Sequence, residues 1–115
     1  MITDEEIDGI LLRELAATGS PVTVAKRLPT VLAQRRVGGM TLEQAADGIM
    51  RVGMLLTAEP DHMVGVVKAG AMNMNPAVII AAADGGDICF AAYAKEGLIK
   101  QHTSEKAIKR VLGEK

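Results

Sequence analysis

Two adjacent glycines between two aspartates, Asp84-Gly85-Gly86-Asp87, constrain this chain more than any other four residues. They separate the apolar runs 77–83 and 88–94. Both central positions of a two-residue hairpin loop need positive φ, which glycine adopts without steric penalty. The spacing therefore predicts an antiparallel hairpin. Upstream, residues 63–69 are apolar and valine-rich and read as a further strand. The turn residues Asn73-Met74-Asn75-Pro76 join it to the hairpin. Residues 77–83 are apolar throughout, so burial on both faces is expected. Ala81, Ala82, Ala83, Ala91, Ala92 and Ala94 are poor strand formers, and they suit a sheet on which a helix packs very closely.

Residues 1–60 read as the helical part. Thr3 and Glu6 form a capping-box pattern, Asp4, Glu5 and Glu6 suit the positive end of a helix dipole, and Ile7, Ile10, Leu11 and Leu15 make one stripe. Gly19-Ser20-Pro21 stops that helix. Residues 22–37 read as two short helical pieces, the second opened by Pro29. After Gly38-Gly39, Thr41 and Gln44 repeat the capping box. The helix they open carries Leu42, Ala45, Ala46, Ile49, Val52, Gly53 and Leu56 on one face and ends near Ala58-Glu59-Pro60. Residues 61–115 read as a short β-meander followed by a basic helix over 104–112, with Lys106, Lys109 and Arg110. The expected fold is α+β, one layer of helices on a small antiparallel sheet.

A length of 115 residues with 49% hydrophobic content fits one domain, 1–115, with a real core. A net charge of −1 argues against long-range electrostatic attraction as the dominant force toward nucleic acid or membrane, and leaves room for a local basic patch. Tyr93 and Phe90 are the only aromatics, which argues against reading single-stranded nucleic acid by base stacking. Cys89 stands alone and cannot form an internal disulfide. Met1-Ile2-Thr3 leads into acids rather than a signal peptide, and the longest apolar run is far below the roughly 20 residues of a membrane span. A cytoplasmic location without membrane contact is expected.

The candidate sites are few. Between Glu14 and Glu43 there is no acid, but there are Lys26, Arg27, Arg35 and Arg36. In a tri-helical helix-turn-helix arrangement Arg35 and Arg36 would approach phosphates, so the basic helical segment 26–36 is the alternative site, for nucleic acid or another anion. An ordinary solvated basic face is favoured over it. Asp84 and Asp87 offer too few oxygens for a cation. His62, His102 and Cys89 have neither zinc-site nor triad spacing, and they are the chemistry of a weaker third alternative, an enzyme with a site shared between subunits. Nothing calls for a metal or a cofactor. Lys68, Asn73 and Asn75 lie in a stretch of small residues, amides and methionines that suits a small ligand close to the backbone, though turn chemistry explains the same residues.

Residues 77–112, with their Asp84-Gly85-Gly86 turn and Lys106-Ala107 pair, resemble the profilin-like family associated with haem utilisation. That resemblance rests on turn chemistry common to hairpins, and the long segment that the family carries after this helix is not seen, so it is not adopted. The leading expectation is a small non-catalytic binding or regulatory domain acting through protein contacts or a small ligand. Met50 and Met54 lie beside the main stripe of their helix, and a short chain with surplus apolar surface is expected to form a symmetric homodimer.

Overall fold

The computed structural model describes residues 2–97 and 100–114. Helix α1 (Asp4–Ala17) starts at the capping box, where the Thr3 hydroxyl accepts the Glu6 N–H at 3.2 Å and the Glu6 carboxylate accepts the Thr3 N–H at 3.3 Å. A short helix, α2 (Val22–Arg27), follows the Gly19-Ser20-Pro21 break. The second helical piece expected after Pro29 does not form: Thr30–Gly38 is a strand, β1. Leu28 is extended (φ −75°, ψ 136°), as a following proline favours, and the chain leaves Pro29 already extended. Alternation then decides the element. Val31, Ala33 and Val37 share one face, while Leu32, Gln34 and Arg36 share the other.

Helix α3 (Leu42–Val52) opens at the second capping box, with Thr41 and Gln44 bonded reciprocally. It ends earlier than its apolar stripe suggests, because Gly53–Ala58 is strand β2, paired with β3 (His62–Ala69). Gly53 makes that turn-off feasible. A Cβ there would lie 2.1 Å from the Val66 carbonyl oxygen, so only glycine lets β2 lie down against its neighbour. The helical part expected over 1–60 thus contains two strands.

A 3-10 turn at Ala71–Asn73 leads to β4 (Asn75–Asp84), and the predicted hairpin returns as β5 (Asp87–Lys95). Gly85 and Gly86 have φ of 56° and 90°, and Asp84 pairs directly with Asp87. Helix α4 (Thr103–Leu112) is the last regular element of the described residues.

The class is α+β, with helices packing on a five-stranded antiparallel sheet of order β1-β5-β4-β3-β2. The expected meander β3-β4-β5 is its centre, and the two strands the sequence reading missed are its edges. The helices occupy both faces rather than one layer, because β4 is buried on both sides. Ala77, Ile79 and Ala81 join the core made with α3 and α4, whereas Val78 and Ile80 pack against Ile7 and Leu11 of α1. Close packing on alanines holds on the two-helix face, where Ala81, Ala92 and Ala94 are fully buried in one core with Ala107 of α4. Among the described residues no helix is long and apolar enough to cross a membrane.

Candidate functional site

Strand β1 splits the candidate anion site. Register places Arg35 opposite Phe90, on the two-helix face, and Arg36 opposite Cys89, on the α1 face. Each guanidinium is already engaged. Arg35 forms a bidentate pair with Glu114 at 2.6 and 2.7 Å, and this hydrogen bonding holds the Glu114 carboxyl below its usual range. Arg36 reaches Asp84 at 2.6 Å and Asp87 at 2.7 Å, which raises its already high pKa and fastens β1 across the hairpin turn. Lys26 and Arg27 lie apart, in the last turn of α2, where a cation complements the helix dipole. The expected helix over 26–36 is replaced by the end of α2 and the start of β1, so the helix-turn-helix arrangement is absent.

Lys68, Asn73 and Asn75 all belong to the β3–β4 connection, but Lys68, opposite Pro76, and Asn75, opposite Ala69, lie on opposite faces of the sheet. The Asn75 amide donates to the Lys95 carbonyl at 3.0 Å and to the Thr103 hydroxyl at 2.9 Å, so it braces the structure. The Lys68 carbonyl accepts from Arg110, and the Lys68 side chain is exposed. Asn73 is exposed in a left-handed conformation, φ 52°.

The residues of the enzyme alternative are not brought together within one chain. His62 and Cys89 flank Ala82 on the α1 face, two strand spacings or about 10 Å apart. The His62 ring bonds Asp61 at 2.7 Å, and this bond lowers the Asp61 pKa. Cys89 Sγ accepts from Arg36 at 3.4 Å. His102 precedes α4, beyond the far end of β5.

Compared with protein-family models, curated proteins and solved structures, the chain matches none. Two of its surfaces stand out.

The first is the edge of the sheet at β2. Its six residues, Gly53–Ala58, include no charged residue and no proline. Beside this edge Met50 and Met54 are each 53% exposed and Leu56 is 38% exposed. The other edge, β1, carries the paired charges of Arg35 and Arg36. Sequence reading marked Met50 and Met54 but placed Leu56 on a buried helix stripe. In the structure Leu56 falls in a break of the β2–β3 register, between Leu55 and Thr57, and turns outward.

The second surface is a groove on the α1 face, between α1 and β1. Two adjoining cavities of about 440 and 480 Å³ share Asp4, Ile7 and Tyr93. Leu32 and Gln34 of β1 form one side, and Ala82 and Ala91 keep the floor low. Nothing in the sequence marks this groove unless β1 is known to be a strand, since only then do Leu32 and Tyr93 become neighbours.

Proposed function

We propose that the protein is a small non-catalytic binding domain of the cytoplasm that works as a symmetric homodimer, with two copies joined through their β2 edges. The observation that carries this is the chemistry of β2. An open strand edge presents unpaired N–H and C=O groups that another strand can complete. Proteins commonly guard such edges with charge or proline, and Gly53–Ala58 has neither. Antiparallel pairing of β2 with its own copy about a two-fold axis satisfies those groups and places Met50, Met54 and Leu56 against their equivalents. An uncharged edge is self-compatible in a way a charged one is not. Support for a binding rather than a catalytic role comes from the separate commitments of Cys89, His62 and Asn75 within the fold.

Light scattering after size exclusion tests the proposal. The wild type is expected near twice 12.1 kDa, and Met54→Lys or Leu56→Lys near 12.1 kDa, since a lysine on the edge charges both sides of the contact at once. A wild type that stays near 12.1 kDa on concentration would overturn it.

A further inference from the structure

The two faces of the sheet are unequally covered. Helices α3 and α4 lie side by side on one, whereas on the other α1 packs its apolar stripe over β4. The part of that face toward β1 is left as the groove. From Thr30 to Arg36 it runs about 20 Å along the strand. Its apolar surface includes Leu32, 47% exposed, and the half-buried ring of Tyr93, directly opposite in register.

Charge indicates what fits there. The α1 rim carries Asp4, Glu5 and Asp8. Asp8 is taken by the buried Lys95 ammonium at 2.7 Å, but Asp4 and Glu5 are exposed and make no ion pair among the described residues. At the other end Arg36 is already paired with both Asp84 and Asp87. The groove therefore combines an apolar floor, a half-buried aromatic ring and, on one rim, carboxylates without an ion pair among the described residues. An apolar stripe flanked by ammonium or guanidinium groups complements all three, the cations meeting the carboxylates and the Tyr93 ring.

We infer that this groove docks a basic amphipathic helix of a partner protein, which lies beside α1 as α4 lies beside α3 on the opposite face. The inference rests on the protein being a binding domain, but it concerns the opposite side of the sheet from the proposed dimer edge.

Tyr93 supplies the test. It is the only tyrosine of a chain with no tryptophan, so intrinsic fluorescence reports this groove alone. The full chain is titrated with a leucine–lysine amphipathic peptide of about 14 residues, which spans the groove as a helix and has no aromatic signal of its own. A saturable change is expected, with no change from the matching leucine–glutamate peptide. Asp4→Asn with Glu5→Gln should weaken binding about three- to tenfold. The matched pair Glu43→Gln with Asp47→Asn, on exposed positions of α3, should leave it unchanged. The Leu56→Lys chain should bind equally well whether or not it self-associates, which keeps this site separate from the dimer edge. No saturable change with the lysine peptide would overturn the inference. So would equal weakening by both double variants, which would reveal charge attraction without a site.

Discussion

At the scale of single residues, two adjacent buried charges at the end of β5 tie the molecule together. Lys95 turns to the α1 face, where its ammonium meets Asp8 at 2.7 Å, the Leu28 carbonyl at 3.4 Å and the Thr30 hydroxyl at 3.3 Å. Glu96 is only 4% exposed, and it accepts the N–H groups of Thr103 at 2.6 Å and Gln101 at 3.1 Å. It thus satisfies donors at the start of α4, a helix whose N-cap, His102, contributes no side-chain cap. Burial pushes the Glu96 carboxyl up, but these hydrogen bonds outweigh it and hold the group below its ordinary 4.5. A carboxyl depressed in the folded state contributes stability that is present above its unfolded pKa and lost as pH falls through the folded one. Glu96→Gln should therefore destabilise the fold by about 1–3 kcal/mol near neutrality. Its deficit should shrink as pH falls below 4.5, where the wild-type carboxyl protonates and resembles the amide. Urea midpoints of the two chains across that range check this, and a constant gap would contradict it. A Lys-Glu pair at a strand end reads in sequence as a solvated terminus, which is why neither residue was singled out.

Among the elements, the hairpin is the one whose local chemistry leaves least freedom. A Cβ added at Gly85 or Gly86 would meet nothing within 4 Å, so the penalty for a larger residue is purely conformational. Gly85→Val and Gly86→Val should each cost about 1–3 kcal/mol, because a β-branched side chain is strained at positive φ. Chemical denaturation measures this, and unchanged midpoints for both would contradict the turn. The Arg36 clasp over the same hairpin is 53% exposed and adds little by comparison. The elements that were legible carry their own signals within a few residues: the capping boxes at Thr3 and Thr41, the glycine pair, and the valine-rich β3. The edge strands do not. Leu28, Leu32 and Ala33 fit a helical stripe as well as Val31, Ala33 and Val37 fit alternation. Pairing with β5 decides between them, and Lys95 lies 65 residues beyond Thr30. In the same way Leu56 fits the α3 stripe until the close approach of Gly53 to Val66 ends the helix. Tertiary contacts outweigh local propensity at both places.

Across the whole molecule, the misread segments are the ones on which the proposed function rests. They are the two sheet edges, so the surplus of apolar surface was legible in the sequence while its position was not. Met50 and Met54 were visible as an excess, but only the strand order places them beside an uncharged edge. The groove was illegible for a related reason, since it exists only once β1 lies beside Tyr93. Two copies are proposed to meet along β2. Amide hydrogen exchange at two protein concentrations tests it residue by residue. The amides of Gly53–Ala58 that do not bond to β3 should be protected at high concentration and lose that protection on dilution. Those on the open side of Thr30–Gly38 should exchange fast at both. Fast exchange along β2 at every concentration would contradict the claim.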